Sequence, residues 1–177
     1  NGGTQSNCAL FYQASLLYKP AEAVSLYASF ATSANPSGEQ LDSTSPEYGG
    51  VIGAENLKPE RNKAYELGAK WETAGGHLLL TAAAFRIDKS DARENQGGGV
   101  YVDVGKLRSQ GLELGVSGNL TSRLALFGGY TFLDARIVAS ADPAKVGSRF
   151  ANVPRHSFAL LANYAVTERL MLGAQAQ

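Results

Sequence analysis

The sequence predicts an all-β fold: an antiparallel up-and-down meander of about eight strands, forming part of the wall of a transmembrane β-barrel. Three observations support it. Residues 111–134 read as one hairpin with a period of two. Short and long connections alternate along the chain. The aromatic side chains fall into two bands, one near each end of the strands.

In the first arm of that hairpin Leu112, Leu114 and Val116 alternate with Glu113, Gly115 and Ser117. One face is therefore apolar and the other polar or small. Residues 119–123 supply a short polar turn. In the second arm Leu124, Leu126, Tyr130 and Phe132 share a face, with Gly128 between them. Each arm has about ten residues, the length a tilted strand needs to cross a bilayer.

The other elements repeat this unit. The opening residues read as loop, and residues 9–18 as the first strand. Residues 19–23 form a tight turn with Pro20 at a usual turn position. The second strand, 24–33, puts Val24, Leu26, Ala28 and Phe30 on one face, and Ser25, Tyr27, Ser29 and Ser33 on the other. Residues 34–58 are rich in Ser, Pro, Gly and Asn and form a long loop. The third strand, 62–72, faces Tyr65, Leu67, Ala69 and Trp71 one way and Glu66, Gly68, Lys70 and Glu72 the other. Residues 73–76 turn, with glycines where positive φ is needed.

The fourth strand, 77–88, places Leu79, Thr81, Ala83, Phe85 and Ile87 on one face, although the Leu78-Leu79-Leu80 run blurs the period. A polar, Gly-rich loop, 89–99, leads into a long fifth strand, 100–118. At roughly 3.3 Å per residue and a tilt near 40° it stands on the order of 45 Å tall. A bilayer core is about 30 Å thick, so the first half, with Lys106, Arg108, Ser109 and Gln110, should protrude into water. The sixth strand ends near residue 134. A polar segment, 137–152, precedes the seventh strand, 154–165, with Phe158, Leu160, Ala162 and Tyr164 on one face. Residues 166–168 turn, and the eighth strand begins at residue 169 with Leu170, Leu172 and Ala174 outward.

Short periplasmic turns and long extracellular loops are the habit of outer-membrane barrels. With that orientation Tyr18, Trp71 and Tyr164 fall near the periplasmic rim. Phe30, Tyr65, Phe85, Phe132 and Phe158 fall toward the other, as lipid headgroups favour. No segment sustains a 3.6-residue period, so no helix is expected. The inward set, taken as Gly68, Ala82, Ala84, Gly115, Ser117, Ala125 and Gly129, is too small to fill a narrow lumen. It suits a wide barrel whose wall lies close to something else.

Composition is consistent with a barrel wall. Lys plus Arg and Asp plus Glu are 16 each, so the net charge is zero. There is no basic excess to suggest a nucleic-acid partner. No apolar run reaches the length of a transmembrane helix, but barrels escape that test because half of each strand faces a polar lumen. The single cysteine, Cys8, excludes an internal disulfide and a Cys-based metal cluster.

Four motifs in order resemble one family. Leu57-Lys58-Pro59-Glu60-Arg61 followed by Tyr65-Glu66-Leu67-Gly68-Ala69-Lys70-Trp71-Glu72 is similar to the LKPE…YELGxKW segment of TonB-dependent siderophore receptors. Gly105-Lys106 with Gly111-Leu112-Glu113-Leu114, Tyr130-Thr131-Phe132-Leu133-Asp134 and Val153-Pro154-Arg155-His156-Ser157 resemble three further strands of that family, and the subgroup they most resemble is the receptors for catecholate siderophores. The resemblance implies part of a 22-stranded barrel in the outer membrane of a Gram-negative bacterium. Residues 1–177 are expected to be a single barrel segment from its C-terminal half, with the plug domain, the TonB box and the last strands absent. The implied function is TonB-dependent uptake of a ferric siderophore, bound and transported without covalent chemistry. The implied partners are the ferric siderophore, the TonB complex through the missing plug, and outer-membrane lipid. No cofactor is expected.

A ferric catecholate is anionic, so guanidinium groups and aromatic faces suit it. Arg93, Tyr101, Arg149 and Arg155 lie in or beside the long loops and are the candidate ligand-binding residues. The bland alternative for each is an ordinary solvated loop residue. Lumen-side Glu66, Lys70, Glu72 and Glu113 are expected to form salt bridges. His77 and His156 are the only histidines, which makes a zinc site improbable. Ser157 beside His156 lacks a third partner for a triad. Asn119-Leu120-Thr121 matches a glycosylation pattern inside a tight turn. Gly97-Gly98-Gly99 is no phosphate loop, since no helix follows it. A passive porin and a soluble β-sheet ligand-binding protein are the alternatives. An N-terminal plug would exclude the first, and a need for detergent the second.

Overall fold

The fold was analysed in a computed structural model that describes residues 10–35, 57–73, 75–96 and 101–177. The readings made for residues 1–9, 36–56, 74 and 97–100, including Cys8, most of the first long loop and the Gly97-Gly98-Gly99 run, lie outside the described residues.

Eight strands form one antiparallel sheet: β1 (Gln13–Ala21), β2 (Val24–Asn35), β3 (Glu60–Thr73), β4 (Leu78–Asn95), β5 (Tyr101–Asn119), β6 (Leu124–Ala139), β7 (His156–Thr167) and β8 (Leu170–Ala176). Each strand pairs with the next, and the order runs from β1 to β8 without a crossover. The sheet is open, because β1 and β8 do not pair with each other. It is also a single layer. Among the described residues Leu57, Leu78, Ala92 and Ala135 are the buried hydrophobics, and none of the large side chains is fully buried. Among the described residues no aliphatic interior forms between packed sheets. Leu16, Leu67, Trp71, Leu114 and Leu172 stand more than half exposed, which in water would make an apolar patch far beyond that of a soluble monomer.

The register assigns the faces. Leu16, Ala28, Leu67, Ala84, Leu112, Phe132 and His156 lie side by side across the sheet, and so do Tyr18, Leu26, Ala69, Ala82, Leu114, Tyr130 and Phe158. This is the apolar, lipid-type face. Ser15, Ser29, Glu66, Phe85, Gly111 and Leu133 form a row on the opposite, more polar face, and Leu17, Tyr27, Gly68, Ala83, Glu113 and Thr131 form the next. A sheet with one lipid face and one lumen face can satisfy its backbone in a bilayer only when every edge is paired.

The fold differs from the sequence reading at five points. First, β4 is inverted. Ala82 and Ala84 belong to the lipid face, whereas Phe85 stands on the lumen side opposite Glu66 and Gly111. The Leu78-Leu79-Leu80 run is apolar on both faces and hides the phase, and Gly111 leaves the room that the Phe85 ring occupies. The upper aromatic band is therefore Phe30, Tyr65, Tyr130, Phe132 and Phe158 with His156; Phe85 is not part of it.

Second, residues 89–95 are strand, where a loop was predicted. β4 and β5 stay paired from Lys89↔Leu107 to Asn95↔Tyr101, with irregularities between Lys89 and Glu94 and a left-handed Asp91. Above the bilayer both faces meet water, so this extension carries no apolar alternation to read. The excursion at this rim is a tall hairpin, not a long loop, and connection length does not alternate strictly.

Third, the β1–β2 turn shrinks to residues 22–23. Pro20 lies inside β1, at a register irregularity between Tyr18 and Ala21, where its missing N–H does no harm. Fourth, β6 runs on to Ala139, and one 3-10 turn, Pro143–Lys145, follows it, capped by Asp142 Oδ1 accepting from the Ala144 N–H at 3.0 Å. Three residues are too few to show a helical period. Fifth, β7 and β8 join through residues 168–169, with the Arg169 N–H donating to Thr167 Oγ1 at 3.2 Å.

The small lumen residues also have a local cause. A Cβ on Gly68 would collide with the Tyr27 ring of the neighbouring strand, and one on Gly115 would collide with Thr81 Oγ1. Larger cross-strand neighbours lean over these glycines and fill the gap.

Candidate functional site

The candidate site is the rim at which β4, β5 and β6 outgrow their neighbours. There the Leu57-Lys58-Pro59-Glu60 segment enters β3. Leu57 is buried, and the Lys58 N–H donates to Asp103 Oδ2 on β5 at 2.9 Å. Glu60 takes two partners from β4: Lys89 Nζ at 3.0 Å and the Arg93 N–H at 3.1 Å. Burial alone would raise the Glu60 carboxyl, but the Arg93 N–H and the Lys89 ammonium outweigh it and hold the group below its ordinary value. Glu94 accepts from Ser140 Oγ at 2.8 Å and from the Ala141 N–H at 3.1 Å. The end of the β2–β3 loop, the β4–β5 hairpin and the β6–β7 connection are thereby laced together by carboxylates.

Glu60 and Lys89 continue the lumen rows of β3 and β4, so this lacing faces the barrel mouth. Arg93 sits beside it, since its N–H is bound to Glu60 and its charge helps hold that carboxyl down. Tyr101 opens β5 and pairs with Asn95 across the tip of the same hairpin. The other two candidates lie elsewhere. Arg149 bridges to Arg136 and stands 3.7 Å from Asp134. The Arg155 guanidinium lies 5.3 Å from the centroid of the Phe132 ring. Both belong to the lipid-type face, above the aromatic band. The structure thus brings Arg149 and Arg155 together around Asp134 and Phe132, and sets Arg93 and Tyr101 on the hairpin. Sequence reasoning missed Glu60, Lys89, Glu94 and Asp103 as ties of the rim. The one signal that could have found Glu60 was its place in the Leu-Lys-Pro-Glu motif.

On the lumen wall, Tyr27 O–H donates to Glu66 at 2.5 Å, and Lys70 Nζ lies 5.7 Å from the centroid of the same ring. Among the described residues no ion pair joins Glu66, Lys70, Glu72 and Glu113, so the expected salt bridges are replaced here by a phenol between a carboxylate and an ammonium. His156 Nδ1 is 2.7 Å from the Tyr130 hydroxyl, on the lipid-type face. Ser157 is the next residue on the strand and points to the other face, so the two cannot act as a pair. Among the described residues no group of three or more His, Cys, Asp or Glu is placed to hold a metal.

One amphipathic sheet, an aromatic band and a laced rim above it define a stretch of outer-membrane β-barrel wall. The chain belongs to the family described as TonB dependent receptor-like, beta-barrel, whose model matches residues 1–175. It is 37% identical to the probable TonB-dependent receptor BfrD of Bordetella pertussis, over 93% of this chain and 22% of the relative. It superposes on the crystal structure of the siderophore receptor PiuA from Acinetobacter baumannii with a TM-score of 0.78 at 34% identity, covering 93% of this chain and 25% of that one. On the ferric-catecholate import receptor Fiu from Escherichia coli K12, in its closed form, the TM-score is 0.77 at 33% identity, covering 92% and 23%. The chain therefore spans about a quarter or less of the length of these relatives. The family is one of transport receptors rather than enzymes, and its barrels sit in Gram-negative outer membranes.

Proposed function

We propose that this chain is one stretch of a larger barrel wall, closed by further strands, and that the complete receptor takes up a ferric siderophore, catecholate in type, with energy supplied through TonB. The observation that carries the proposal is the match to Fiu and PiuA across almost the whole chain. The open sheet supports the larger barrel, because lipid offers no partner for the free edges of β1 and β8.

In this reading the chelate is held, not altered. An anionic complex entering the mouth meets the β4–β5 hairpin, whose strands are the longest among the described residues. Arg93 supplies a guanidinium that can make charge-assisted hydrogen bonds to catecholate oxygens, and Tyr101 is the aromatic residue that opens β5. The Glu60–Lys89 lacing holds the hairpin in place, so less ordering is needed on binding. Coupling to TonB runs through a plug inside the lumen, and the polar face with Tyr27, Glu66 and Lys70 is the surface offered to it. We assign the mouth to Arg93 and Tyr101 rather than to Arg149 and Arg155, whose side chains stand on the lipid-type face.

Binding of a ferric catecholate to the full receptor, followed by fluorescence quenching, tests this. Arg93→Ala is expected to weaken binding by about tenfold or more, the worth of one hydrogen bond to a charged group. The double variant of Arg149 and Arg155 is expected to bind as the wild type does. Unchanged affinity in Arg93→Ala removes that residue from the mouth. Iron-limited growth that is independent of the receptor would remove the uptake function itself.

A further inference from the structure

The second cluster at the rim faces the other way. Asp88 holds two guanidiniums, Arg86 at 2.8 Å and Arg108 at 2.7 Å. Asp134 holds two more, Arg136 at 2.9 Å and Arg149 at 3.7 Å. Four cations surround two carboxylates, so the cluster keeps a net positive charge in a chain whose overall charge is zero. Each arginine side chain is 35–45% exposed. A guanidinium has five N–H donors in a fixed fork, and the carboxylates use only part of that set. Arg136 also gives Nη1 to the Gly147 carbonyl at 3.4 Å, and the partial exposure of all four leaves donors within reach of an outside acceptor.

Depth gives the cluster its meaning. Arg86 pairs with Tyr65 of the aromatic band, and Asp134 lies two residues above Phe132 on the same face. One such step is about 7 Å along a strand, which is headgroup depth above an aromatic belt. A shallow groove of about 330 Å³ runs between Arg108, Asp134 and Arg136, with Val138 and Val146 in its lining. It offers guanidiniums beside apolar side chains on the lipid side of the wall. A siderophore in the mouth would meet the opposite face.

We propose that this outward arginine cluster binds the phosphate groups of outer-leaflet lipid, with Arg86, Arg108, Arg136 and Arg149 as the contacting cations. Phosphate oxygens suit paired guanidiniums through bidentate, charge-assisted hydrogen bonds. The cluster would fix the height of the wall in the membrane and seal the lipid against the tall β4–β5–β6 extension. The carboxylates of Asp88 and Asp134 stay ionised, since their arginine partners hold both below the ordinary range against the opposing effect of burial. They act as spacers that keep the guanidiniums aimed. The proposal rests on the chain being a membrane wall and is independent of which ligand enters the mouth.

Native mass spectrometry of the full receptor in neutral detergent, titrated with lipid A, tests it. The variant with Arg86, Arg108, Arg136 and Arg149 all changed to Gln should bind lipid A at least about tenfold more weakly, with unchanged affinity for a ferric catecholate. A second arm needs no variant: the wild type should bind dephosphorylated lipid A about tenfold more weakly than the phosphorylated form. Equal binding of the two lipids, or full retention of lipid A by the variant, overturns the proposal. So does displacement of lipid A by millimolar inorganic phosphate, which would mark a free-anion site. Loss of catecholate affinity with lipid binding intact would overturn it too and return the arginines to the mouth. Loss of self-association with lipid binding intact would instead give the patch to a second copy of the chain.

Discussion

At the scale of single residues, the lumen wall works by exchange of volume between neighbours. Gly68 is buried because Tyr27 lies across it, and the phenol reaches Glu66 only from that position. A side chain at residue 68 forces the ring away and breaks that hydrogen bond. Gly68→Val is expected to cost about 1–3 kcal/mol from overpacking, read as a lower midpoint in denaturant unfolding from detergent. Tyr27→Phe keeps the ring and loses only the hydroxyl, so its cost should be nearer 1 kcal/mol. The lipid face gives the opposite kind of test. Leu114 is half exposed, between Ala82 and Tyr130, and Leu114→Arg is expected to cost about 2–4 kcal/mol near the bilayer midplane. A near-neutral result in the folding equilibrium would move Leu114 out of the membrane. The faces of Leu114 and Gly68 were legible in the sequence, because alternation is unbroken around both. The side chain covering Gly68 was not, because it comes from a strand some forty residues away.

At the scale of elements, alternation reads well inside the bilayer and fails outside it. β2, β3, β5 and β7 were found with their faces correct, because one side of each meets lipid and the other does not. β4 was phased wrongly, since Leu78, Leu79 and Leu80 satisfy either choice and Phe85 is apolar on a polar face. The extension at residues 89–95 was missed for the reason given by its own partners: Glu60 and Glu94 hold it, and carboxylates in a loop look the same as carboxylates in a strand. That lacing makes a prediction about pH. The Glu60 carboxyl sits below its ordinary value in the folded chain, so its contribution is present above the unfolded pKa of about 4 and is lost as pH falls through the lower folded value. Hydrogen exchange at the Arg93 amide, corrected for intrinsic rate, should therefore quicken as pH is lowered below about 4. Glu60→Gln should raise that exchange already at neutral pH. An Arg93 amide equally protected in Glu60→Gln would show that the hairpin stands without the lacing.

At the scale of the whole molecule, the sheet has two free edges and two unlike faces, and each demands something outside it. The apolar face demands lipid. The edges of β1 and β8 demand strands, since a row of unpaired N–H and C=O groups in hydrocarbon costs several kcal/mol for each group. In water the same edges are templates for other copies. A chain of these 177 residues by itself is therefore expected to need detergent and to associate edge to edge. Single cysteines placed at Leu16 on β1 and Leu172 on β8, in a background with Cys8 changed to Ser, give a direct reading. If edges drive association, mixing the two variants under oxidation should yield crosslinked dimers joining β1 to β8, because both positions lie on one face and at exposed strands. If the apolar faces drive it instead, detergent alone should abolish the crosslink and leave monomers. In the closed barrel that we propose, neither strand is an edge, and the same two cysteines should stay reduced. The contrast between the isolated wall and the closed barrel follows from backbone hydrogen bonding alone, whichever ligand the receptor carries.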